Sequence, residues 1–328
     1  MTSSTPQAAS THQLPALPGD LPVFPVHTPA PDLSPYLAGN TGIRGFTTRD
    51  SGQPGPHVVL VSLIHGNEIA GATVLAELLA ENFSPLRGRL TLGFANLAAF
   101  ARFDPTAPLT SRFIEEDMNR VWDDIQLFGV RRSVELDRAR EIRPLIDTSD
   151  ILLDLHSMLW PSPPLLLCGP SPRGKVLARN VATPAAIIAD DGHVGGKRLI
   201  DYGHFTATTG RAAGVLVEAG QHWEAATIAQ TRVTVRALLH NTGMAIFPAP
   251  AVPQPTLAQV THTITAHTHR FVFVRDFSGN ELIPTAHTLI AHDGETEIRT
   301  PYENCMLVMP CLRATYGHTA VRLARLGD

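Results

Sequence analysis

The distribution of apolar residues along the chain is the most informative pattern. Continuous apolar runs occur at Val58–Ile64, Leu90–Ala95, Ile151–Leu155, Leu165–Leu167 and Val215–Val217. They do not alternate with polar residues, so they predict strands covered on both faces. Helical patterns lie between and after them. Ile69–Asn82 carries Leu75, Leu78 and Leu79 on one stripe, Arg131–Ile146 is amphipathic and charged, and Trp223–His240 is a further helical stretch. Strands alternating with helices predict an α/β unit with a mainly parallel sheet.

Near residue 247 the pattern changes. Phe247–Gln259 carries prolines at 248, 250, 253 and 255, which excludes a helix or a central strand and reads as a linker. Short β-like runs follow: Val260–Ala266, Phe271–Val274, Thr288–Ala291, Glu297–Thr300 and Met306–Met309, separated by turn signals at Ser278-Gly279-Asn280 and Asp293-Gly294. The division expected is a loose arm over residues 1–20, a catalytic domain over 21–247 and a smaller β-rich domain over 248–328.

Composition narrows the function classes. The chain has 328 residues, 44% of them hydrophobic, enough for about two ordinary domains. A net charge of -4 disfavours a nucleic-acid-coating protein. Cys168, Cys305 and Cys311 are too few for a disulfide framework or a cysteine-rich zinc fold. The first residues lack the apolar core of a secretory signal, and no apolar run spans a bilayer, so a cytoplasmic setting is expected. Phosphate-loop, dinucleotide and serine-hydrolase elbow motifs are absent.

The chemistry-bearing residues cluster at strand ends. His65-Gly66-Asn67-Glu68 follows the run Val58–Ile64, and His and Glu three apart suit zinc. Chance supplies about one such pair in a chain with 15 His, and His292…Glu295 is a second match in a hairpin-like context. Taken alone, His65 and Glu68 serve equally well as helix-start residues. Two further runs change the balance. Ile151–Leu155 ends in His156 and Val215–Val217 ends in Glu218, so metal-compatible side chains fall at the carboxyl ends of three strands, the ligand-binding edge of open α/β sheets. In Arg112…Asp117-Met118-Asn119-Arg120, two arginines eight apart can grip a carboxylate and a carbonyl oxygen, although taken alone the segment reads more simply as a solvated loop. The run Arg131, Arg132, Arg138, Arg140 and Arg143 is interleaved with acids and reads as a solvated helix face.

In order and context, His65-Gly-Asn-Glu68, Asp117-Met-Asn119-Arg120, Asp154-Leu-His156 and Val217-Glu218 resemble the aspartoacylase/succinylglutamate desuccinylase family, relatives of the zinc carboxypeptidases. The resemblance covers residues 40–245 by motif and the β-rich tail more loosely. It implies a zinc carboxypeptidase-like fold with one zinc ion per chain, held by His65, Glu68 and His156. It further implies Glu218 as general base and acid, Arg112 as stabiliser of the oxyanion, and Asn119 and Arg120 as binders of the substrate carboxylate. Asp117 or Asp154 would orient a ligand from behind. Tyr302 is a candidate contributor to the site from the tail. The chain departs from the best-known members around Trp160, at Asp191-Gly-His193 and at Gln221-His222-Trp223. His193, His204 and His222 are candidates for the pocket, although each reads more simply as a loop or surface histidine.

The function expected is zinc-dependent hydrolysis of the amide bond of a small N-acyl amino acid, with a small-molecule substrate and no nucleic-acid or membrane partner. Assembly of identical copies is compatible with it. Two alternatives stand beside it: a carboxypeptidase-like peptidase on larger substrates, distinguished by an open pocket, and a metal-binding relative without catalysis.

Overall fold

The structure, a computed structural model, describes residues 24–193, 195–247 and 254–327. The expected arm lies outside these residues, as do the prolines at 248, 250 and 253.

The strands in chain order are β1 (Phe46–Asp50), β2 (His57–Ser62), β3 (Arg89–Phe94), β4 (Ile151–Met158), β5 (Leu165–Leu167), β6 (Ala186–Ala189), β7 (Ala213–Gln221), β8 (Thr256–Thr265), β9 (Phe271–Phe273), β10 (Glu281–Ile283), β11 (Leu289–Asp293), β12 (Thr296–Arg299), β13 (Cys305–Val308) and β14 (Thr319–Leu326). The helices are α1 (Ile69–Ala80), α2 (Leu97–Phe100), α3 (Asp124–Phe128), α4 (Val134–Ile146), α5 (Pro172–Val181), α6 (Gly203–Thr206) and α7 (Ala225–Asn241).

Eleven strands form one sheet in the order β1-β3-β2-β4-β7-β5-β6-β8-β14-β13-β10, and β12-β11-β9 form a second, smaller one. The centre of the large sheet is parallel, with β3, β2, β4 and β7 side by side. The C-terminal strands are antiparallel. Mixed α/β architecture with a mainly parallel sheet and a β-rich tail is therefore the fold.

The continuous apolar runs are explained by two cores. On β2, Val58 and Leu60 face one core while Val59 and Val61 face the other. The first core is closed by α1, α5 and α7, through residues such as Leu75, Leu177 and Leu238. The second is closed by α4, through Leu136, Ala139 and Ile142, and by the loops around Trp122 and Tyr202. Each such buried aliphatic side chain contributes about 1.5–3 kcal/mol relative to exposure.

Two expectations need correction. The proline-rich stretch does not run to residue 259, because Thr256–Gln259 already pairs with β6 as the start of β8. Of the described linker residues, Phe247, Gln254 and Pro255 precede it. The strands β4 and β7 also continue past His156 and Glu218, which lie within them rather than just beyond.

Candidate active site

Each functional side chain is positioned by a specific backbone device. After β2 the chain turns sharply at Leu63, whose φ is 57°. His65 and Glu68 follow in the turn before α1. Gly66 is required there by close approach: a Cβ would lie 2.5 Å from Ser111 O and from the backbone at Ala99 and Phe100. Glu68 is the N-cap residue of α1, yet its side chain makes no capping bond. Helix initiation therefore leaves the Glu68 carboxylate free for other partners.

Those partners are the two histidines. His65 Nδ1 lies 2.7 Å from Glu68 Oε1, and His156 Nδ1 lies 2.9 Å from Glu68 Oε2. The Ser157 amide also donates to Oε2 at 3.1 Å. One ligand-capable atom from each of His65, Glu68 and His156 lies within 4.8 Å of the others, and all three residues are buried. Two imidazoles and a carboxylate in a buried cluster are the donor chemistry of a catalytic zinc site. The rear nitrogen of each ring faces another carboxylate. His65 Nε2 lies 2.8 Å from Asp117 Oδ1. His156 Nε2 lies 2.9 Å from Asp154 Oδ2, at ion-pair distance but off the line of a hydrogen bond, so both Asp154 oxygens remain without hydrogen-bond partners among the described residues. Carboxylates behind metal-ligating imidazoles fix tautomer and ring orientation.

His156 and Glu218 are register partners on the parallel strands β4 and β7, so they project side by side from one face. Glu218 is buried, and its Oε2 has no hydrogen-bond partner among the described residues. Burial first, and then the neighbouring Glu68 charge, push its carboxyl up to about 8. Glu68 behaves oppositely. Burial opposes its ionisation, but the charges of His65 and His156 hold it well below the usual carboxylate range. Two carboxyls in one pocket thus differ in proton affinity because only one is clasped by imidazoles.

The segment after residue 111 supplies the cations. Arg112 Nη1 donates to Glu68 Oε1 at 3.1 Å and Nη2 to Asp117 Oδ2 at 3.3 Å, and its side chain is 35% exposed. Asn119 sits between the site and the opposite loop, with Oδ1 accepting from Leu199 N at 2.8 Å and Nδ2 3.4 Å from His156 Nε2. Arg120 lies 3.8 Å from Asp117 Oδ2. Gly196 lets the opposite loop approach, since a Cβ there would meet Arg120 O at 2.1 Å. A residue that sequence reasoning missed anchors this segment. The fully buried Glu135 of α4 accepts from the amides of Ile114 (2.6 Å), Glu115 (3.1 Å) and Glu116 (3.3 Å) and from Asn96 Nδ2 (3.0 Å). Its only sequence signal was a charge on an otherwise apolar helix face.

These groups line a cavity of about 680 Å³. The connection from β13 to β14 lines one side of it through Met309, Cys311 and His318, and β14 adds Arg322. Of the three candidate histidines, His193 and His222 line the cavity. His222 Nδ1 pairs with Ser157 Oγ at 2.8 Å, and burial pushes its imidazole down to about 4. His204 is elsewhere, with Nε2 2.7 Å from Ser149 O. Tyr302 is not brought to the cavity. Its hydroxyl lies 2.6 Å from Thr261 Oγ1 and its ring packs under Arg325.

Among the described residues no helix is long and apolar enough to cross a membrane. The chain is similar in structure to a succinylglutamate desuccinylase from Vibrio cholerae, with a TM-score of 0.65, 18% identity and 86% of each chain covered. A succinylglutamate desuccinylase from Vibrio parahaemolyticus matches with a TM-score of 0.64, 17% identity and 87% of each chain. A product-bound ectoine utilization protein from Ruegeria pomeroyi matches with a TM-score of 0.60 and 15% identity, over 85% of this chain and 88% of that one. At these identities the likeness establishes the fold. No curated protein sequence matches. The catalytic-domain profile of succinylglutamate desuccinylase/aspartoacylase matches residues 54–241, more than half of the chain. The chain belongs to the succinylglutamate desuccinylase/aspartoacylase family, a family of hydrolytic deacylases.

Proposed function

We propose that this protein is a zinc-dependent hydrolase that cleaves the amide bond of a small N-acyl amino acid. The observation that carries the reading is the buried His65, Glu68 and His156 cluster, with the unpartnered Glu218 oxygen beside it. The donor set fits zinc, because two imidazoles and one carboxylate converge and both rings are backed by carboxylates. His65, Glu68 and His156 would hold the ion, which would supply Lewis acidity to a carbonyl and lower the pKa of water.

The remaining work falls to the chain's own groups. Glu218 takes the proton of the attacking water and returns it to the leaving nitrogen; its high proton affinity suits the second task, and its buried carboxylate form the first. Arg112 donates to the oxygen on which charge develops, and the Asp117 and Glu68 carboxylates, outweighing its burial, keep it fully protonated. Asn119 and Arg120 hold the substrate carboxylate, which selects the amide presented to Glu218. Asp117 and Asp154 orient His65 and His156 from behind.

The preference for a small substrate over the peptidase alternative is supported by the C-terminal wall, where Met309, Cys311 and His318 line the cavity. The test is a turnover screen of the zinc-supplied protein against N-acyl amino acids and free peptides. Hydrolysis of the acyl amino acids, abolished by a chelator and restored by zinc, is expected. Cleavage of peptides alone would move the assignment to the peptidase.

A further inference from the structure

The cavity lining is of two kinds. In one part Arg120, Arg198 and Arg322 lie near His193, and burial first, then these arginines, push its imidazole down to about 3. The other part is the end of β4 and the segment after it, Ser157-Met158-Leu159-Trp160, where the chain departs from the best-known members of the family. None of these four side chains carries a charge, and Met158, Leu159 and Trp160 line the cavity with thioether, aliphatic and aromatic surface. His222 stands beside them, with Nδ1 taken up by Ser157 Oγ at 2.8 Å. The roles assigned to Arg112, Asn119, Arg120 and Glu218 leave this apolar part of the cavity unused.

Its indole is held in place. Trp160 is half-buried, and Phe24 packs edge-on against it, with ring centroids 5.8 Å apart and planes at 86°. Phe24 is fixed in turn, because His27 N and Thr28 Oγ1 both donate to Trp223 O, at 3.2 and 3.3 Å. Cys311 lies beside the indole. The residues that follow, Pro161-Ser162-Pro163-Pro164, are stiffened by three prolines and tied to the turn before β10. Asn280 Nδ2 donates to Pro163 O at 3.5 Å, and a Cβ at Gly279 would collide with Ser162 Oγ. A large aromatic surface is thus kept at the cavity, where an apolar group of a ligand removes it from water. A side chain already fixed loses little freedom when it is covered.

We propose that Trp160, with Met158 and Leu159, forms an apolar subsite that takes an uncharged acyl group larger than acetyl, an aryl group above all. This rests on the deacylase reading and deepens it. The amino-acid half is held through its carboxylate by Asn119 and Arg120, and the acyl half, which carries no charge, covers the indole. Ring-to-ring packing adds to the gain from the apolar area buried.

The full-length, zinc-supplied protein is tested in two ways, one of them independent of turnover. The chain has three tryptophans, and Trp122 and Trp223 are fully buried, so acrylamide, a neutral quencher, reads chiefly Trp160. Benzoate is expected to shield Trp160 from acrylamide, while acetate and succinate at equal concentration leave the quenching unchanged. All three carry a carboxylate, and only benzoate carries a ring. In turnover, the N-benzoyl derivative of each amino acid hydrolysed is expected to exceed its N-acetyl and N-succinyl counterparts by at least about 10-fold in kcat/KM, carried mainly by KM. Trp160→Ala brings the benzoyl-to-acetyl ratio to within about 3-fold of unity, and Trp160→Phe retains part of the preference. A structural role for Trp160 predicts equal losses on all three amides with the ratio unchanged, and that result overturns the subsite. So does the absence of shielding by benzoate, or a wild-type protein that prefers the acetyl or succinyl amide, readouts that stand even if Trp160→Ala does not fold. Shielding by benzoate without hydrolysis of any amide overturns the deacylase reading and leaves the apolar site standing.

Discussion

The chain contains the pattern His-x-x-Glu twice, and the two copies differ in everything except sequence. His65 and Glu68 sit between a buried parallel strand and a helix, are both buried, and meet at 2.7 Å. His292 and Glu295 sit on the hairpin joining β11 to β12, where His292 pairs across the ladder with Glu297 and Glu295 is exposed. In the hairpin the working carboxylate is Asp293 between them. It accepts from the amides of His267 (2.7 Å) and Thr268 (2.9 Å) and from Thr268 Oγ1 (2.6 Å). In the first motif the acid caps no helix with its side chain and bridges both histidines, whereas in the second the acid is exposed and the neighbouring Asp293 holds the turn instead. The cluster that could hold a metal thus arises where a strand edge gathers buried polar groups, not from the spacing alone.

This contrast sets an order of expected effects. Glu68→Ala removes the oxygen pair that joins both histidines. Zinc content and turnover are expected to fall by more than about 100-fold, since even the loss of an outer partner costs about 10–100-fold. Elemental analysis and a deacylase assay read this, and retention of stoichiometric zinc would break the contrast. Asp154→Asn is expected to weaken zinc affinity by about 10–100-fold, measured by competition with a chelator.

Glu135→Ala leaves one buried and three partly buried donors without an acceptor and is expected to cost about 3 kcal/mol in a denaturant titration. Asp293→Asn acts on the second motif alone, at about 1–3 kcal/mol. Its effect depends on pH. Burial works against the charged form, but bonds from Thr268 and His267 outweigh it and hold Asp293 below its ordinary value. The stabilisation is therefore present above the unfolded pKa of about 3.9 and is lost as pH falls through the lower folded value. The gap between wild type and Asp293→Asn is expected to close on acidification, and a gap that widens would contradict the assignment. Glu295→Ala, the smallest, is expected to stay within about 0.5 kcal/mol with unchanged zinc.

The sequence was most legible where burial imposed a pattern. The apolar runs located β2, β3, β4 and β7, because strands covered on both faces cannot hide a polar residue cheaply, and His156 and Glu218 stood out against them. Elements without such a pattern were invisible. β1 (Phe46–Asp50) buries only Phe46 fully, α5 starts on Pro172 with a largely polar sequence, and β14 loses its alternation at two register shifts. The far wall of the cavity was illegible for a related reason. Arg198, Asp190 and Asp201 carry no sequence pattern of their own, and only the fold joins them and brings Asp190 near Arg322. Tyr302 was misplaced because a motif position in the tail says nothing of where an antiparallel sheet turns its side chains, and here Tyr302 faces Thr261 and Arg325.

The central claim is that a buried carboxyl beside a His-Glu-His zinc site moves the proton in amide hydrolysis. The most direct measurement is the zinc content and turnover of Glu218→Gln, which preserves shape and removes the proton acceptor. The account predicts zinc at the wild-type level with turnover reduced by at least about 100-fold, the contribution of a positioned general base. Full turnover with zinc in place would contradict it.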